Sequence, residues 1–110
     1  MDARAERIGR NEAIFRSVNE SIMGLESGWD AASELAQFVC ECGDETCRER
    51  IQMSLEEYAA VRTDAAQFVL VRGHQAPDVE TVVAETDRYA VVRKREGEPA
   101  DLARRLFPTR

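Results

Sequence analysis

The chain has 110 residues, of which 44% are hydrophobic and only 6% aromatic, with a formal net charge of −6. That length suits one domain, in the size range where a staple assists a modest core, and the hydrophobic fraction excludes a disordered composition. The acidic balance disfavours general binding to phosphate backbones and favours solubility.

No apolar run approaches the roughly 20 residues of a membrane span. Met1 to Arg10 are polar and lack the apolar core of a secretion signal, so a cytoplasmic location is expected. The basic residues are almost all arginine, with Lys94 the single lysine, and Arg93-Lys94-Arg95 is the one local basic cluster.

Residues Ala5 to Glu26 carry a helical signal. Ile8, Phe15 and Ile22 recur every seven residues, as do Asn11, Val18 and Leu25, giving an a/d stripe with Asn11 at a core position. Such a stripe packs on its own domain, or on a second copy or partner protein through Ile8, Phe15, Val18, Ile22 and Leu25. Ser27-Gly28 reads as the helix stop. Asp30 caps a short helix through Leu35, with Trp29 as an anchor ahead of it.

Gln37 to Cys40 and Arg50 to Met53 read as paired strands joined by the cysteine loop. Ser54-Leu55-Glu56-Glu57 has the form of a capping box and opens a helix through about Arg62, with Leu55, Tyr58 and Val61 buried. Phe68 to Val71 reads as a strand, and Gly73 supplies the backbone freedom that turns His74 back. Val79 to Val83 and Tyr89 to Arg93 read as a hairpin. A helix from Pro77 to Glu85 competes with it, because proline and acids suit a first helical turn. Glu96 to Pro99 reads as a linker, and Leu102, Leu106 and Phe107 form a short docking helix or fray. The resulting division is a helix over residues 1–28, an α+β unit over 29–95 and a tail over 96–110.

All three cysteines lie in Cys40-x-Cys42-x(4)-Cys47, and His74 is the single histidine. Three thiolates and one imidazole supply the four ligands of a closed zinc site. The common knuckle has two residues between its cysteines, so one intervening residue is a departure. In extended chain, alternate residues share a face, which lets Cys40 and Cys42 point to one ion. Gly43 is expected to make a tight turn towards Cys47. Glu41, Asp44 and Glu45 are acidic neighbours that raise thiol pKa values in the absence of metal, or act as spare ligands. The alternatives are unrelated buried cysteines with a surface histidine, and a redox pair such as Cys42 and Cys47.

The segments Phe38-x-Cys40-Glu41-Cys42-Gly43 with Cys47, Ile51-x-Met53-Ser54-x-x-Glu57-Tyr58-x-x-Val61-Arg62, Gly73-His74 and Asn11-Glu12-x-x-Phe15-Arg16-x-x-Asn19-Glu20 resemble a family of small bacterial proteins with no assigned activity. What the resemblance implies is a shared site at Cys40, Cys42, Cys47 and His74, and nothing about a substrate.

No second histidine is present to build a hydrolytic metal centre or to activate a serine or cysteine. No glycine-rich phosphate loop is present either. The expectation is therefore an α+β fold: a long N-terminal helix, then a small zinc-stapled β domain with one central helix. Its expected role is that of a non-catalytic interaction or regulatory module holding structural zinc. The alternative is a thiol-based redox or metal sensor with a labile zinc.

Overall fold

A computed structural model of the protein describes residues 2–26 and 35–106, with the side chains of Leu25 and Glu26 outside that description. Trp29, the expected helix stop at Ser27-Gly28 and Phe107 lie outside the described residues. So does the expected helix from Asp30, except for Leu35, which opens a strand.

Helix α1 runs Ala3–Glu26. Asp2 caps it: its carboxylate accepts the Ala5 backbone N–H at 2.7 Å, satisfying a donor that has no partner inside the helix. The face that α1 turns inward is not the apolar stripe. Ala5, Ile8, Glu12, Arg16 and Asn19 are buried, at spacings of three and four, and three of these five are polar or charged. Of the stripe residues, Ile8 is buried and Ile22 packs partly against the core. Phe15 is half-buried, while Val18 and its neighbour Ile14 are 42% and 61% exposed. Apolar periodicity misplaces the face because the buried polar groups find partners on distant elements.

Two antiparallel sheets follow. Strands β1 (Leu35–Val39) and β2 (Arg50–Ser54) form a hairpin in which Phe38 faces Ile51, with the cysteine loop as its connection, as expected. The second sheet has the order β3-β5-β4, from β3 (Gln67–Leu70), β4 (Glu80–Glu85) and β5 (Ala90–Lys94). The segment from Pro77 to Glu85 is thus mainly strand rather than helix, with an irregularity in register between Val82 and Ala84. The two sheets meet where the Glu41 N–H donates to the Val69 carbonyl at 2.8 Å, so the cysteine segment covers the free edge of β3.

Between the sheets, Ser54 caps α2 (Leu55–Val61). Its hydroxyl accepts from the Glu57 N–H at 3.1 Å and its own N–H donates to the Glu57 carboxylate at 2.9 Å, the reciprocal pair expected from the sequence. Tyr58 and Val61 are buried from this helix and Leu55 partly so. Tyr58 stacks on Phe38 with ring centroids 4.6 Å apart, tying α2 to the first hairpin. These residues join Ile51, Met53, Phe68, Val69, Leu70 and Val92 in the main core.

A further helix, α3 (Glu98–Leu106), starts inside the expected linker and packs against α1 and β5. It buries Ala100, Leu102 and Ala103. The whole is an α+β fold with a long N-terminal helix laid over small antiparallel sheets. Among the described residues no helix is long and apolar enough to cross a membrane.

Candidate metal centre

Four side chains from three parts of the fold converge. Cys40 and Cys42 leave β1 in extended chain, Cys47 sits late in the loop, and His74 follows β3. Gly73 has a φ of 90°, the left-handed region open to glycine, and this turn returns His74 to the cysteines. The His74 N–H closes the turn on the Val71 carbonyl at 3.0 Å. The chain bends at Gly43 ahead of Cys47, as expected, without a positive φ. Gly43 also lets α1 approach, because a Cβ there would lie 2.5 Å from Ile8 Cγ2.

The ligand atoms of Cys40, Cys42, Cys47 and His74 all lie within 4.8 Å of one another, a grouping that can hold a metal ion. His74 Nδ1 is 3.6 Å from Cys40 Sγ and 3.8 Å from Cys47 Sγ. A tetrahedral ion with metal–sulfur bonds of about 2.3 Å and a metal–nitrogen bond of about 2.0 Å separates sulfur from nitrogen by about 3.5 Å, close to these values. No other such grouping of cysteine, histidine and acidic ligand atoms occurs among the described residues.

The surroundings suit thiolates. Cys40 Sγ accepts the Val71 N–H at 3.2 Å. Cys42 accepts a backbone hydrogen bond from Asp44, and Cys47 one from Glu49. Each sulfur therefore has a main-chain donor in place. The protons are held unequally. The hydrogen bond from Cys40 holds the Cys42 thiol down at about 5 against the opposing effect of burial. The same bond, then burial, pushes Cys40 up, and burial pushes Cys47 up. A bound cation deprotonates such thiols outright.

Glu49 joins the candidate site, and no sequence pattern pointed to it. Its carboxylate lies 2.8 Å from His74 Nε2, on the side of the ring away from the sulfurs. This contact places a proton on Nε2 and leaves the Nδ1 lone pair facing the cysteines, the arrangement that orients a metal-bound imidazole. No periodicity or motif signals it; only the direction of the His74 ring does.

The other acids do not serve as spare ligands. Asp44 accepts from the Thr46 N–H at 2.9 Å and the Thr46 hydroxyl at 2.7 Å, closing the loop on itself, and Glu45 is exposed. Glu41, between the two buried cysteines, points the opposite way into the core. It accepts from the Tyr58 hydroxyl at 2.6 Å, from Asn19 Nδ2 at 2.9 Å and from the Val69 N–H at 3.0 Å. Burial and the charge of Glu41 push the Tyr58 hydroxyl up, which keeps it a donor. One buried carboxyl group thus fastens the cysteine segment to α1, α2 and β3.

Comparison with known proteins finds no matching family model, no matching curated protein and no matching solved structure.

Proposed function

We propose that this chain is a small, non-catalytic zinc-binding module of the cytoplasm, in which structural zinc holds the first hairpin to the His74 turn. The observation that carries this reading is the convergence of three sulfurs and an oriented imidazole within 4.8 Å. Soft thiolates with one imidazole favour zinc over harder cations, and four protein ligands leave no position for a catalytic water. The test is elemental analysis of protein purified without chelator. One zinc per chain is expected, lost in Cys42→Ser together with much of the thermal stability, because structural zinc contributes folding free energy. Well under half an equivalent in a folded protein would refute it.

The interaction role rests on α1. Ile14 and Val18 lie one turn apart and are 61% and 42% exposed. A second copy of the chain is the partner proposed for this strip. Sedimentation of wild type against Val18→Asp tests it, and a wild type that stays monomeric at high micromolar concentration rules it out. The basic cluster offers little to nucleic acid. Lys94 is buried between Glu12 and Glu80, Arg93 pairs with Asp64 and Glu96, and Arg95 donates to the Pro77 carbonyl.

A second reading, a sensor with labile zinc, is favoured by one observation: Cys47 and His74 form a half-exposed side of the cluster. Zinc release by mild peroxide, reversed on reduction, would establish it. Retention at doses that oxidise ordinary exposed thiols would leave the structural role in place.

A further inference from the structure

Helix α1 lies against the segment that carries two of the four ligands, and it grips that segment largely by its backbone. The Asn19 side chain accepts the Val39 N–H at 2.7 Å and donates to the Val39 carbonyl at 2.9 Å, as a neighbouring strand would. Its amide donates to Glu41 as well. Asn11 Nδ2 donates to the Gly43 carbonyl at 3.0 Å, and Ile8 fills the space beside Gly43. Val39, Glu41 and Gly43 are therefore held by α1, while Cys40 and Cys42 between them belong to the cluster.

The rest of the helix docks by directional contacts too. Lys94 meets Glu12 at 2.7 Å, Arg16 donates to the Ala65 carbonyl at 2.9 Å and lies over the Phe68 ring, and Arg62 pairs with Glu20. Among the described residues, apolar packing on α1 comes from Ala5 and Ile8 beside Val79, from Gly9 against Leu102 of α3, and from Ile22 and Met23 partly packed on the core. Hydrogen bonds weaken steeply when their partners shift or tilt, whereas apolar contact is non-directional. A helix seated this way depends on where its receiving backbone stands.

We infer that the cluster and the docking of α1 form one coupled unit: gathering the four ligands fixes residues 39–43 as the seat of α1, and freeing the ligands releases α1 from a body that stays folded. The inference rests on the zinc reading above. Coupling of this kind is reciprocal, so loosening α1 must weaken metal binding by the same factor.

The test is amide hydrogen exchange on the full chain, loaded with zinc and after chelation. Protection from Ile8 to Asn19 should fall at least about tenfold further than that of Phe68, Ala90 and Val92, which pair within the second sheet. Conversely, Asn19→Ala should weaken zinc affinity about 5–150-fold, measured by competition with a chromophoric chelator. The milder Asn11→Ala, which removes one half-buried hydrogen bond, should shift it in the same direction. Unchanged α1 protection in the zinc-free protein overturns the inference and leaves the zinc reading standing. An equal loss of protection in α1 and β5 also overturns it, because the cluster would then hold the whole fold rather than the seat of α1. Unaltered zinc affinity in folded Asn11→Ala and Asn19→Ala overturns it as well. A chain that binds no zinc overturns the zinc reading and the coupling with it.

Discussion

Replacing Gly43 with alanine puts a single methyl group where the cysteine loop and α1 come closest. The new Cβ would stand 2.5 Å from Ile8 Cγ2, 3.0 Å from Ile8 Cβ and 3.1 Å from Ile8 Cγ1. Gly43 is not among the glycines with positive φ, so no backbone strain accompanies the change. Restricting the unfolded chain contributes about 0.4–1 kcal/mol of stability. Against it stands overpacking at about 1–3 kcal/mol. Ile8 is β-branched, buried and in a helix, so it has one preferred rotamer and cannot swing aside; relief requires α1 to move. A net loss of about 1–2 kcal/mol is expected from these two terms. Ile8→Ala alone should cost about 2 kcal/mol or more as a core truncation. In the double variant the added methyl moves into vacated space, so the costs should fall short of additive by about 1 kcal/mol or more. Urea unfolding of the four zinc-loaded proteins, compared at constant m-value, supplies the numbers. Stability of Gly43→Ala within about 0.3 kcal/mol of wild type, or strict additivity in the cycle, would refute the claimed contact.

Glu49→Ala should keep the fold, since its side chain is 58% exposed, but weaken zinc binding about 10–100-fold in chelator competition. Equal affinity would deny the orienting role. Glu57 supplies a pH prediction. Burial raises its carboxyl, but the Ser54 N–H, the Tyr89 hydroxyl and Arg88 outweigh that and hold it at about 2. A depressed folded value means that its stabilisation is complete above the ordinary carboxylate value near 4.3 and is lost as pH falls towards about 2. The gap in urea midpoint between wild type and Glu57→Gln should therefore be widest near neutrality and close below about pH 4; a pH-independent gap would contradict the linkage.

What was legible in the sequence was chemistry that residue type alone specifies. Three cysteines and one histidine define their own grouping, and a serine three residues before a glutamate defines a cap; the β-branched runs suggest the β4–β5 hairpin but leave a helix from Pro77 open against it. What was not legible depends on partners remote in sequence. Glu12, Arg16 and Asn19 look like the solvated side of α1 until Lys94, the Ala65 carbonyl and the Val39 backbone are brought to them. Small residues also hide: α3 docks partly through Ala100 and Ala103, which carry little apolar signal against the arginines and acids around them. Gly43 reads as a turn former in sequence, and the chain does bend there; its second use, leaving room for Ile8, has no local signal.

The burial of Lys94 has a chemical corollary. It is the chain's one ε-amine, and its ammonium group lies 2.7 Å from Glu12 and 3.2 Å from Glu80 with 2% of the residue exposed. Acylating reagents and lysine-modifying enzymes require a free, deprotonated amine in reach, and the folded surface offers them no such side chain. Lys94 becomes a nucleophile only when α1 and β5 part, so its acylation rate under dilute anhydride would be the fraction of time the molecule spends open, multiplied by the rate for an ordinary lysine. The protein carries its own clock for that opening.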